Sequence, residues 1–155
     1  MLALFADSIF RKAQALNAAS ITTRQKRYLN RAINFEIRHA CDALLPDNLI
    51  PRVSVSADLL AQKMGVDLRL VDWHDQPKFD PGRKIFHMEH FIPVRDVRLS
   101  CCAASCAAEV LDVLKSKIVV AWILKEEDNR LNELGFRSKR PDPEAAYRAA
   151  GIKLL

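Results

Sequence analysis

The stretch IFHMEHFIPVRDV, residues 85–97, decides how this chain is read. It sets two histidines and a glutamate into an apolar, strand-forming run that Pro93 brings to an end, because proline cannot donate to a central ladder. Side chains alternate along a strand, so His87 and Glu89 share one face. His90 joins them at one site only if the strand ends or bends after Glu89. The stretch is either one edge of an active site or an ordinary half-wet strand, and its sequence neighbours bear on which.

Downstream, RLSCCAASCAAEVLDVLKS is expected to be a helix, KIVVAWIL a strand apolar through its middle, and KEEDNRLNELG a charged helix closed by Gly135. Setting the inserted helix aside leaves a β-hairpin packed on a helix, which can hold one divalent metal between them. Trp122, in mid-strand, is a core residue. The tail FRSKRPDPEAAYRAAGIKLL begins as a basic loop and ends as a short helix through Tyr147, whose ring is expected to pack.

Upstream, Leu2, Phe5, Ile9, Ala13 and Leu16 recur at helical steps. Leu29, Ile33, Ile37, Ala40 and Leu44 do the same in a second helix capped by Thr22 or Thr23 and ended before Pro46. His39 falls beside that stripe as a surface or boundary residue. In VSVSADLLAQKMGVDLRLVDW, Ser56 is expected to cap a short helix that Gly65 stops, and VDLRLVDW alternates like a strand. A helix-turn-helix therefore lacks its recognition helix. HDQPKFDPGRK reads as a loop, in which His74 and the aspartates have turn-forming roles before any metal-binding one.

The 155 residues suit one domain with a real core, and half of them are hydrophobic. The expected fold class is α+β, a mainly helical domain with a hairpin–helix core: a two-helix region over residues 1–50, then residues 51–155 carrying the candidate site and the basic tail. Asp7, Arg11 and Lys12 interrupt the apolar N-terminus, so neither a membrane span nor a signal peptide is expected. Cys41, Cys101, Cys102 and Cys106 lack paired spacing and fit helix packing better than zinc binding. A cytoplasmic protein is the expectation.

Net charge is +5 and the pI is about 9.2. The basic residues cluster in TTRQKRYLNRAINFEIR and again in GFRSKRPDPEAAYR. Such groups bind phosphates with release of counterions; the alternative is a solvated helix face.

Glu89-His90 followed by FIP, a second apolar strand, and a helix with Asn129 in its first turn resemble the HNH endonucleases, a family with a ββα-metal fold. The resemblance spans residues 84–152, including an R-S-x-R-P loop before a Y-R-x-A-G-I helix. Where many family members have C-x-x-C-H, this chain has Lys125, Asp128 and Asn129, so the structural zinc site of those members is absent. The resemblance implies a metal-dependent endonuclease hydrolysing DNA phosphodiesters, with RNA as a second substrate class and a homodimer as one way to cut both strands. It implies Glu89 and Asn129 as ligands to a divalent metal, Mg²⁺ first and Mn²⁺ or Zn²⁺ as alternatives, and His90 as the general base.

A histidine titrates near neutral pH, and general-base activation of water contributes a factor of roughly 10² to 10⁴. A carboxylate and an amide oxygen are the hard donors Mg²⁺ takes. Glu126 and Glu127 are substitutes for Asn129, and His87 is an auxiliary group. Arg137, Lys139 and Arg140 are expected to meet DNA phosphates. Two other classes compete: a catalytically inactive nucleic-acid-binding or regulatory protein on the same fold, and a module binding an acidic protein partner.

Overall fold

In the computed structural model, which describes residues 1–155, eight helices and three short strands follow in this order: α1 (Leu2–Leu16), α2 (Thr23–Asp42), β1 (Arg52–Val53), α3 (Val55–Lys63), α4 (Gln76–Phe79), β2 (Phe86–His90), α5 (Val94–Ala103), α6 (Ala107–Lys117), β3 (Val120–Leu124), α7 (Lys125–Glu133) and α8 (Pro143–Ala149). The fold is a mainly helical α+β arrangement with one three-stranded sheet. No helix is long and apolar enough to cross a membrane. The chain divides into two compact units, Met1–Ala43 with Val94–Ile118 and Leu44–Pro93 with Val119–Leu155.

The first unit is all helix. Its buried side chains are Ala6, Ile9 and Ala13 from α1, Ile33, Ile37, Ala40 and Cys41 from α2, Val94, Val97 and Cys101 from α5, and Val110 and Leu114 from α6, with Ile118 just after it. Full burial of Ile33 or Ile37 contributes roughly 1.5–3 kcal/mol each. At the start of α2, the Thr22 hydroxyl accepts from the Gln25 backbone N–H at 3.3 Å while the Gln25 side-chain amide oxygen accepts from the Thr22 N–H at 2.8 Å, a reciprocal cap that satisfies two otherwise orphaned donors.

A boundary near residue 50 was expected, but this unit ends at Ala43 and takes in residues 94–118. The reason is packing: α1 packs against α5 and α6 as well as α2, and α2 packs against α5. The single helix expected over 98–116 is two. Glu109 accepts the Ser105 N–H at 2.7 Å, which favours a new helix start over continuation of α5. The three clustered cysteines diverge accordingly, Cys101 buried, Cys102 half-buried and Cys106 exposed.

In the second unit β3 is the middle strand, parallel to β1 and antiparallel to β2. The β2–β3 register is regular, from Phe86 opposite Leu124 to His90 opposite Val120. One sheet face carries Phe86 and Trp122 against Val53, Ala57, Ala61 and Leu68. The other carries Ala121 and Ile123 against Leu131 of α7 and Tyr147 and Ala150 of α8, with Phe91 in the same cluster. The C-terminus is tied beside β1: the Val55 N–H donates to Lys153 O and the Leu155 N–H to Val53 O, both at 2.9 Å.

Two local expectations fail here. Ser54, not Ser56, caps α3, its hydroxyl accepting the Ala57 N–H at 3.1 Å. VDLRLVDW is a series of turns rather than a strand. Asp67 accepts the Arg69 N–H at 3.0 Å, and this side-chain-to-backbone bond takes the donor a ladder would need. Gly65, at φ +71°, ends α3 as expected, in a conformation that favours glycine. The loop HDQPKFDPGRK contains the single turn α4, where Asp80 accepts the N–H groups of Lys84, Ile85 and Phe86 and so fixes the entry to β2.

Candidate metal centre

Chain geometry assembles the site from β2 and the first turns of α7. Helix α7 begins directly after β3. Glu127 receives the Leu124 N–H at 2.9 Å and the Ser54 hydroxyl at 2.6 Å, while the Lys125 N–H donates to Ile85 O at 2.8 Å. These bonds lock the helix start over the His87–Glu89 face of β2. Acidic residues in that first turn also suit the positive end of the helix dipole.

On that face the ligand atoms of His87, Glu89 and Asp128 lie within 4.8 Å of one another. His87 Nε2 is 3.0 Å from Glu89 Oε2 and 3.9 Å from Asp128 Oδ1. Lys125 Nζ is 3.3 Å from His87 Nδ1, and Asn132 donates to the other Asp128 oxygen at 3.3 Å. The side chains of His87, Glu89 and Asp128 keep 31%, 15% and 18% exposure, so the cluster is open to a ligand from one side.

Arg140 supports the cluster from beneath. Its guanidinium donates to Glu89 Oε1, to the carbonyls of His90 (2.8 Å) and Phe91 (3.2 Å), and from Nε to Phe136 O at 2.6 Å. Burial alone would raise the Glu89 pKa, but the His87 hydrogen bond and the Arg140 charge and hydrogen bond outweigh it and hold the carboxyl below its ordinary range. The Tyr147 hydroxyl is buried without a hydrogen-bond partner. Its pKa is raised, first by burial and then by the Glu89 charge, against the opposing pull of Arg140. It is thus an unpaired donor in the field of the same carboxylates.

Several expected placements change. The ladder stays regular through His90, so alternation puts His90 on the sheet face opposite Glu89, and one metal cannot be shared by Glu89 while His90 serves it. Asn129 is exposed. It lies about 100° round α7 from Asp128, which turns inward in its place. Glu126 is exposed, and Glu127, though buried, is committed to Ser54 and Leu124. Arg137 and Lys139 are exposed as a phosphate contact requires, whereas Arg140 is buried and fully engaged within the fold.

Asp128 escaped the sequence reading, although a signal existed. Leu131 is a core residue of α7, and the positions three and four before it, Asp128 and Glu127, must face the sheet. Comparison with protein-family models, curated proteins and solved structures yields no match.

Proposed function

We propose that the second unit is a divalent-metal-dependent phosphodiesterase acting on DNA, an endonuclease of the ββα-metal type, with His87, Glu89 and Asp128 as the ligand set. The observation that carries this reading is the convergence of those three groups on a strand–strand–helix frame. One imidazole nitrogen and two carboxylate oxygens suit Mn²⁺ or Zn²⁺ better than Mg²⁺, which takes mainly oxygens. The unpaired Tyr147 hydroxyl fits a site that receives a polar ligand. When bound, a divalent ion supplies Lewis-acid charge and lowers the pKa of a coordinated water.

The chain's own residues do the rest. Arg140 keeps Glu89 ionised and oriented, and Asn132 orients Asp128. A lysine ammonium only donates, so its contact with Nδ1 favours the Nε2–H tautomer of His87; Nε2 would take a metal only with the proton moved to Nδ1 and Lys125 withdrawn. Arg137 and Lys139, both exposed, are the residues this reading assigns to substrate phosphates.

A second reading has its own support. Both Glu89 oxygens are already engaged, by Arg140 and by His87, so the same residues also make a self-satisfied network in a catalytically inactive nucleic-acid-binding protein.

Conversion of supercoiled plasmid to nicked or linear forms in Mg²⁺, Mn²⁺, Zn²⁺ or EDTA separates the two. Metal-dependent cleavage that disappears in His87→Ala and Asp128→Asn and persists in His90→Ala is the expected result. Absence of cleavage with every metal, alongside salt-sensitive DNA binding, would leave the inactive reading in place.

A further inference from the structure

Helix α2 carries a second, separate surface. Its buried stripe, Ile33, Ile37 and Ala40, faces the helical core. Directly opposite, Arg24, Tyr28, Arg31, Phe35 and Arg38 follow at alternating steps of four and three residues, a single line along the exposed side. Tyr28 and Phe35 are each 58% exposed. Large aromatic rings this open to water are unusual when they recur on one line, and each sits between two arginines. Arg27 and His39 flank the line. Glu36 of α2 pairs with Lys12, away from this line. The nearest acid along it is Asp42, at the last residue of α2.

Beside Tyr28 an open pocket of about 460 Å³ is lined mainly by Ala15, Ala18, Ile21, Gln25 and Leu29. The Gln25 carbonyl oxygen is occupied by Thr22, which leaves its NH₂ group as a donor at the pocket.

We propose that this face of α2 binds single-stranded DNA, with Tyr28 and Phe35 stacking on bases, the pocket beside Tyr28 receiving one of them, and Arg24, Arg31 and Arg38 on the phosphates. Rings and cations interleaved on one face are the two elements of sequence-tolerant single-strand binding, stacking and backbone neutralisation. The arginines recur every seven residues, about 10.5 Å apart along the helix. A duplex offers no unstacked base to either ring. A lipid surface needs a wide apolar face, and the apolar face of α2 is inside the core. Neither stacking nor phosphate contact needs a 2′-hydroxyl, so nothing here asks for RNA.

The test is fluorescence anisotropy of labelled oligothymidylate with the full chain in EDTA, so that binding is read without cleavage. Tyr28→Ala and Phe35→Ala should each weaken binding by roughly fivefold or more. Arg31→Gln should reduce the slope of log affinity against log salt by about 0.7. His87→Ala should bind like the native chain, which keeps this surface distinct from the metal-centre reading. The proposal is overturned if the aromatic variants bind as tightly as the native chain, if duplex DNA or an oligoribonucleotide of equal length binds more tightly, or if anionic phosphatidylserine vesicles bind with the same dependence on Tyr28 and Phe35.

Discussion

Arg140 in the second unit and the arginines of α2 in the first belong to basic clusters that look alike in sequence, yet they meet opposite fates. Arg140 is 1% exposed and gives its donors to Glu89 and to three backbone carbonyls. Arg24, Arg27, Arg31 and Arg38 are exposed on the outer face of a helix, with Arg24 5.9 Å from the centre of the Tyr28 ring. A count of positive charge therefore says little about affinity for an anion. What separates the two is whether carboxylates and orphan carbonyls lie within reach once the chain folds. In the second unit the end of β2 supplies Glu89 and the His90 and Phe91 carbonyls, and the tail adds that of Phe136; on α2 the helix has already satisfied its own backbone.

The largest effect is expected where the arginine is buried. Arg140→Ala should lower the unfolding free energy in urea by roughly 3–5 kcal/mol, because it leaves a mostly buried carboxylate uncompensated. Combining it with Glu89→Ala should recover part of that loss, a non-additivity that a double-mutant cycle measures. If the double variant loses the full sum of the single effects, Arg140 acts through its carbonyl contacts and the ion pair contributes little.

A smaller effect should appear in acid. The folded Glu89 pKa lies below its ordinary unfolded value. The folded state thus holds fewer protons, and the stability this gives is complete above the unfolded pKa and lost as pH falls through the folded one. Asp80 acts with the same sign: burial opposes ionisation, but the Phe86 N–H, the Gln76 amide and the N–H groups of Ile85 and Lys84 prevail. Urea midpoints measured from neutral pH to pH 3 should fall along an acid limb that is shallower in Glu89→Gln. The smallest change is expected on α2, where Arg31→Gln should shift stability by no more than about 0.5 kcal/mol while altering DNA binding. A large loss there would mean that the stripe serves the fold, and the contrast with Arg140 would collapse.

The elements that announce themselves in sequence are those whose stability is local or periodic. The stripes of α1 and α2, the Thr22 cap, the Gly65 stop and the β2–β3–α7 order are all legible, because spacing of three, four or two residues encodes each of them. Register is where legibility ends. That His87 shares a face with Glu89 follows from strand alternation, but whether β2 bends before His90 depends on β3, which keeps the pairing regular. Nor can the residues before α3 reveal that Ser54 will cap the helix and also reach Glu127, 73 positions away. Arg140 looks like a free cation until the tail folds back beneath β2. The VDLRLVDW segment misleads for a different reason: its alternation is genuine, but an Asx turn at Asp67 captures the backbone first.

The Phe91 N–H donates to Val119 O at 2.9 Å, so the chain departs from the sheet at Phe91 and returns to the same rung. Residues 92–118 are in that sense an insertion at the tip of a hairpin, joining the two halves of its last rung. A connection of two to five residues spans such a gap in ordinary hairpins. The strand–strand–helix frame around His87, Glu89 and Asp128 is therefore continuous in space even though its text is not.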